Sequence, residues 1–405
     1  MADDRPHNPG AQLALLAVAQ LAAMTLWFSA TAVLPALQRV WDLSPTGAAW
    51  MTAAVQVGFV VGALGAAFLN LPDVVPPRTM IAVSALGGAA ANLALAHLAN
   101  GATSALALRF VTGVCLAGVY PPGMKVAAGH VSGRARGMAI GVLVGSLTLG
   151  SATPHLVAGL LGGGDLPYRT VLSISSALAA GGALVVIGLV RDGPHAPGRA
   201  PFDPSQVRAV LIDRPVLLAN LGYFGHMWEL YAMWAWLIAY LSIGLTGVAT
   251  TRVAAFAIIG VAGGIGAVAG GVLADRIGRT TVTIAAMLLS GACCLLSPAV
   301  AGAAAPVVIL FGLVWGAAIV ADSAQFSAAV TELARPEYIG TALTLQTSLG
   351  FALTLIPIWS LPYLAQVVGW QYAFIALAPG PLLGSLAMRA LRRRPESRLL
   401  AGGRR

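Results

Sequence analysis

The chain has 405 residues, of which 58% are hydrophobic and only 9% charged, at a mean hydropathy of +0.84. That excess of apolar side chains excludes a soluble globular protein. Cys115, Cys293 and Cys294 all fall inside apolar runs, which excludes a disulfide framework and makes them small packing residues. The net charge of +9 would suit an acidic partner, but the placement of the charges gives it another meaning.

Apolar runs of roughly 20 residues, the length needed to cross a ~30 Å hydrocarbon layer, recur along the chain. They cover 11–36, 46–69, 78–98, 103–125, 137–160, 168–190, 215–241, 249–273, 280–301, 306–329, 339–361 and 368–390. The first follows Asp3, Asp4 and Arg5 and is longer than the apolar core of a secretory signal, so it is expected to be retained as a spanning helix. Glycines (48) and prolines (24) are abundant, as in membrane helices packed closely through small residues. The expected fold class is an all-α integral membrane protein with twelve transmembrane helices.

A gap in the apolar pattern at 191–214 carries Pro194, Pro197, Pro201 and Pro204 and reads as a cytoplasmic linker. It separates an N-terminal six-helix bundle, 1–190, from a C-terminal six-helix bundle with a basic cytoplasmic tail, 215–405. A shift of about 202 residues superposes Trp27 on Trp228, Asp73 on Asp275, Gly137 on Gly340 and Pro154 on Pro357. Two parallel halves with a substrate site between them is a transporter plan.

With both termini on one side, the segments on that side hold 19 of the 23 Lys and Arg residues. Arg39, Arg169 and Arg252 fall on the other side and Arg109 lies inside a span. Such a bias predicts cytoplasmic termini in an inner membrane, and it accounts for the net charge without a nucleic acid.

Between the eighth and ninth spans stands Gly271-Val-Leu-Ala-Asp275-Arg276-Ile-Gly278-Arg279. This G-x-x-x-D-R-x-G-R pattern resembles the signature loop of the major facilitator superfamily (MFS). The resemblance covers essentially the whole chain through the spans and the half repeat. The corresponding first-half loop, Leu69 to Arg78, keeps Asp73 but has Pro76 and Pro77 in place of the glycine and arginine. Arg109 to Gly113, with Gly118 and Tyr120-Pro121-Pro122, resembles the R-x-x-x-G pattern of the fourth span. Gly141, Gly145, Gly150 and Pro154 resemble the antiporter glycine-proline series, without its Gly-Pro-x-x-Gly-Gly ending. A nitrate or nitrite substrate is set aside, since span two has no arginine and Arg252 sits at the outer end of span eight.

In physical terms Asp73, Gly271, Asp275, Arg276, Gly278 and Arg279 make a cytoplasmic gate whose charged hydrogen bonds lock helices in one conformation and release them in another. The competing reading is arginines that only fix topology.

Three formal charges lie deep in the membrane region: Arg109, Glu229 and Asp322, in spans four, seven and ten. The resemblance implies that these spans line a central cavity, so the three are expected to converge there. Glu229, mid-membrane, is read as the group that takes up and releases a proton during transport; the alternative is an acid that only holds a neighbouring helix. His226, at i−3, either relays that proton or donates to Glu229. Asp322, with Gln325 on the same face, either binds a substrate amine, joins in proton transfer or pairs with Arg109. Arg109 either holds an anionic substrate group or acts on a nearby acid. Trp27, Tyr120, Tyr223 and Trp228 are deep aromatics suited to a flat organic substrate, or packing between the halves.

There is no HExxH, Walker loop, GxSxG elbow or metal-ligand spacing, so no enzyme and no cofactor is expected. The reading is a secondary active transporter of a small organic solute, working by alternating access and proton-coupled through Glu229. Its expected partners are that small-molecule substrate, protons and the lipid bilayer, and it is expected to act as a monomer. The alternative is a non-transporting membrane sensor or assembly protein on the same scaffold; a channel is disfavoured for want of a charge ring or filter loop.

Overall fold

Proline and a short polar cap open several helices, as the fixed φ of proline and the orphan amides of a first turn favour. Asn8 accepts from the Ala11 amide at 3.1 Å ahead of Pro9, and Ser44 accepts from the Gly47 amide at 3.1 Å ahead of Pro45. The computed structural model describes residues 8–69, 71–130, 136–161, 168–191, 193, 203–335 and 339–405. Among these residues regular structure is entirely helical.

In chain order the long helices are α1 (Pro9–Met24), α2 (Pro45–Phe68), α3 (Pro77–His97), α4 (Ala102–Ala127), α5 (Arg136–Leu160) and α6 (Tyr168–Gly188). Then follow α7 (Arg214–Gly244), α8 (Val248–Ile277), α9 (Arg279–Val300), α10 (Ala305–Leu333), α11 (Ile339–Val368) and α12 (Trp370–Arg392). Ten of these are long and apolar enough to cross a membrane. The others are α1, which has only 16 residues, and α7, where His, Glu, Tyr and Trp side chains dilute the apolar run.

Three helices break near mid-height. After α1 the chain makes turns at Thr25–Phe28 and resumes as Ser29–Ala32 and Leu34–Trp41, so the expected span 11–36 is not one helix. Helix α4 turns at Gly118 and Val119, and α10 at Asp322. Helix α8 carries a π-helical turn over Ala257–Ala262, and α7 runs unbroken.

Packing follows a pattern that repeats after six helices. α2 packs on α4, α3 on α4 and α6, and α1 on α5 and α6; likewise α8 packs on α10, α9 on α10 and α12, and α7 on α11 and α12. The remaining large contacts, α2 with α11 and α5 with α8, join the two sets. Glycine makes the tightest contacts possible: a Cβ on Gly58 would stand 2.0 Å from the Phe110 carbonyl oxygen of α4, and one on Gly266 2.1 Å from that of Ala317 in α10. Small residues here let helices approach backbone to backbone.

The Gln12 side chain binds both the Leu189 carbonyl and the Arg191 amide, so the start of α1 and the end of α6 share one face, called here the tail face. The segment 395–405 folds on this face against the α8–α9 joint, and the opposite end is the far face. Of the proline-rich joint 191–214, residues 191, 193 and 203–214 are described; there Ser205 hydrogen bonds hold the Asp203 carboxyl below the usual carboxylate range.

Candidate functional site

Helix α7 carries the two polar groups that most need explaining, and its geometry sends them to different neighbours. Residues three apart on an α-helix point about 60° apart. Glu229, 0% exposed, faces α9, where Ser290 Oγ donates to its Oε1 at 2.6 Å and the Cys294 thiol approaches Oε2 at 3.5 Å. His226, 1% exposed, faces α10 instead, its Nδ1 lying 2.9 Å from Asp322 Oδ1. With the Nδ1 proton toward Asp322, Nε2 accepts from Ser323 Oγ at 2.8 Å. His226 therefore hydrogen-bonds Ser323 and stands at ion-pair distance from Asp322, without hydrogen-bond alignment to it, and is not hydrogen-bonded to Glu229. Asp322 caps the second segment of α10, so the break in that helix is what brings its carboxylate and the Ser323 hydroxyl to one imidazole.

His226 and Ser323 also line a cavity of about 40 Å³ between the two helix sets, walled by Tyr120 and Met124 on α4, Tyr223 on α7 and Thr347 on α11. Toward the far face it is capped by a cluster of rings. Trp27, in the turn after α1, lies 5.1 Å from Phe59, 5.5 Å from Tyr231 and 5.4 Å from Phe351, centroid to centroid, while Phe59 and Phe351 are 4.3 Å apart. Beyond the rings a second cavity of about 420 Å³ opens between the same two helix sets at the far face.

Arg109 belongs to neither cavity. Fully buried in α4, it donates from Nη1 to the Leu26 carbonyl at 2.9 Å, from Nε to the Met51 carbonyl at 3.2 Å, and from Nη2 to the Trp27 carbonyl. It takes up carbonyls freed where α1 unwinds, which explains why a cation sits so deep. Asp322 pairs with His226 and not with Arg109, so the three deep charges do not meet.

On the tail face the signature loop builds a charged network. Arg279, 5% exposed, forks onto Glu332 of α10 with Nε to Oε2 at 2.8 Å and Nη2 to Oε1 at 2.7 Å. Its Nη1 donates to Gln325 Oε1 at 2.8 Å and lies 3.6 Å from Asp275 Oδ1. The tail joins in: the Ala401 amide donates to Glu332 Oε2 at 3.0 Å, and Arg404 donates to the Asp275 carbonyl. Gly278, at φ +101°, ends α8, and a Cβ there would stand 1.8 Å from the Arg405 carbonyl oxygen. Gly271 is buried in α8, whereas Arg276 is exposed and stands outside the network. Asp73 lies in a short helix, Leu71–Val74, and its side chain is outside the described residues.

Thus the structure brings His226 and Asp322 together at a cavity wall that Tyr120 and Tyr223 share, with Glu229 one helix face away. Gln325 belongs to the tail-face network and not to that cavity. Trp27 belongs to the ring cluster, and Trp228, half-buried, donates to the Ala376 carbonyl of α12 at 3.1 Å. Sequence reasoning did not single out Glu332, Ser290, Ser323, Phe59 or Phe351. Of these only Glu332 carried a signal, as an acid at the tail-face end of a largely apolar α10, three residues before Arg335.

Two sets of long helices with the same packing order and a cavity between them follow the plan of secondary transporters. A family model described as "Major Facilitator Superfamily" matches residues 16–357, and the chain belongs to that superfamily. Among solved structures, the proton:xylose symporter XylE aligns over 95% of this chain and 96% of its own at TM-score 0.76 and 12% identity. The occupied, inward-facing bacterial homologue of the human lysosomal transporter Spinster aligns over 96% and 98% at TM-score 0.71 and 13% identity. The Escherichia coli fucose:proton symporter FucP aligns over 96% and 100% at TM-score 0.68 and 16% identity. No curated protein sequence matches the chain.

Proposed function

We propose that the chain is a proton-coupled secondary active transporter that moves a small organic solute by alternating access. In this reading it has twelve spans, in two six-helix bundles, 1–190 and 215–405, joined by the cytoplasmic linker 191–214. The recurrence of the packing pairs after six helices supports that division. Both ends face the cytoplasm of an inner membrane, as the charge bias supports, and the working unit is a monomer.

The observation that carries the coupling is the pair His226–Asp322 at a cavity wall, 2.9 Å apart, with Glu229 one turn from His226 on α7. With both carboxylates ionised and the imidazole neutral, this buried set would hold two negative charges and, among the described residues, no Lys or Arg within ion-pair distance. A low-dielectric interior makes such a charge costly, and carboxylates kept at that depth mark proton pathways. Asp322 and His226 exchange the proton with the cavity, and Glu229, tethered to α9 through Ser290, carries it between bundle conformations. Tyr120 and Tyr223 contact the solute, Trp27 closes the path above it, and Trp228 braces α7 against α12.

The test is solute uptake and solute exchange in proteoliposomes, the solute being first found by thermal-shift screening of the purified protein. Asp322→Asn and Glu229→Gln should abolish accumulation driven by a proton gradient while leaving exchange at equal pH measurable. Equal loss of driven uptake and exchange in variants that remain folded would refute the assignment.

A further inference from the structure

The far-face cavity contains a charge that the coupling mechanism does not use. Arg252, near the start of α8, is 5% exposed and is the one charged residue among those lining the cavity. Its hydrogen bond runs from Nη1 to the Ala158 carbonyl of α5 at 3.5 Å, the outer limit of such contacts, and among the described residues no carboxylate lies within ion-pair distance. One turn before Ala158, His155 is 1% exposed with neither ring nitrogen hydrogen-bonded, and it lies within range of the Arg252 charge. Arg109 is equally deep but has three carbonyls for its fork. Arg252 makes one hydrogen bond at the outer limit of length, and its other guanidinium nitrogens are not shut away from the cavity it lines, so they are open to a partner there.

The rest of the cavity describes that partner. Trp236 and Trp370 stand side by side with ring centroids 5.4 Å apart and planes inclined by 31°. The Trp236 indole N–H is already given to the Ile358 carbonyl at 2.9 Å, so that ring offers only its face. Ala235 and Ala239 on α7 and Ala365 on α11 keep the volume open at about 420 Å³, and Gln38 and Gln366 supply neutral polar rims. A space of this size, mostly apolar with one convergent charge, matches the usual make-up of a small-molecule site.

The geometry points to a binding site for an organic anion in this cavity: one negatively charged head on the Arg252 guanidinium and a flat apolar body against Trp236 and Trp370. The inference rests on the transporter reading to the extent that it makes this anion the solute class entering from the far face. An anion here competes with the Ala158 carbonyl for Arg252 and so acts on the α5–α8 contact between the two helix sets. The same chemistry, an anionic head with an apolar body, can come from water or from an anionic lipid.

The test uses 2-naphthoate and its neutral twin 2-naphthamide, with binding followed by thermal shift and tryptophan fluorescence on the full chain in phosphatidylcholine nanodiscs. Naphthoate should bind and naphthamide should not. Arg252→Gln should weaken naphthoate on the order of 30-fold, the loss of a charge-assisted pair, and Arg252→Lys should recover part of it. Ala239→Trp, which fills the cavity and leaves Arg252 in place, should also abolish binding, so the inference survives a variant that fails to fold. Adding phosphatidylglycerol to the discs separates the sources: weaker naphthoate binding assigns the anion site to lipid, and unchanged binding assigns it to a water-borne solute. Absence of naphthoate binding, equal binding of the amide, or full affinity in Arg252→Gln would overturn the site. Because binding in nanodiscs needs no transport, that result leaves the proton-coupled reading standing, and uncoupled flux leaves the anion site standing.

Discussion

Gly278→Ala tests whether the tail belongs to the gate. At φ +101° an alanine is strained by about 1–3 kcal/mol. Its Cβ would also stand 1.8 Å from the Arg405 carbonyl oxygen and 2.3 Å from that of Arg404, separations no side chain tolerates. Docking of the segment 395–405 is therefore lost, and with it the burial of Leu400, worth about 1.5–3 kcal/mol, and the Ala401 amide bond to Glu332, worth about 1.5–3 kcal/mol. If those two contacts set the opening free energy, at least about 3 kcal/mol of protection goes. Hydrogen exchange at the Ala401 amide then accelerates on the order of 100-fold, since 1.4 kcal/mol is a factor of ten. The assay is hydrogen–deuterium exchange of the tail peptide by mass spectrometry, with α2 peptides as internal reference. Ala401→Pro, which removes the donor and cannot adopt the φ of +47° found there, should also undock the tail, read at the neighbouring Leu399 and Leu400 amides. A tail as protected in Gly278→Ala as in the parent would refute the argument, because it would mean that the tail is held by something other than this joint.

Two further outcomes follow from the buried polar groups. Arg109→Lys keeps the charge but replaces a fork serving three carbonyls by a point donor, and should cost about 3 kcal/mol, read as a lower unfolding midpoint in detergent with the fold retained by size-exclusion chromatography. An unchanged midpoint would mean that the turn at Thr25–Phe28 holds without it. Ser290→Ala removes the 2.6 Å donor to Glu229 and should shift the carboxyl band that difference infrared spectroscopy assigns to Glu229 by its loss in Glu229→Gln. A band in the same position would show that the carboxyl does not face α9.

Most of the fold could be read in the chain because lipid imposes it: apolar runs of membrane length, prolines at helix starts and the positive bias leave few alternatives. The signature Gly271 to Arg279 was equally legible, and the structure adds what Arg279 holds, namely Glu332 and Gln325. The breaks in α1 and α10 were not legible. No proline or glycine falls at Thr25–Phe28, and the turn there is fixed by Arg109 reaching from a helix more than 80 residues away, a contact local sequence cannot announce. Gln325 shares a turn with Asp322, yet the rotation of α10 past its break sends it to Arg279 on the tail face.

Helix periodicity groups His226 and Glu229 on one face of α7, but a helix face is a range of directions, and the 60° between them spans two neighbours. The choice of neighbour is made by bulk elsewhere. Gly225 lets α12 approach so closely that a Cβ would stand 2.4 Å from the Gly380 carbonyl oxygen, and this contact sets the rotation of α7. From that rotation His226 meets Asp322 at the cavity, and Glu229 and Tyr240 meet α9 at Ser290 and Ser297. The same asymmetry runs along the transport path. On the tail face Arg279, Glu332 and the tail are bonded and the cavity measures about 40 Å³, while the far face holds about 420 Å³ around Arg252. In the proposed cycle, a solute entering beside Arg252 would reach His226 only if the Trp27–Phe59–Phe351 cluster parts, and would leave at the tail face only if the two helix sets separate there. Those two barriers lie on opposite sides of the imidazole, which is the arrangement alternating access requires of a group that must meet each side in turn.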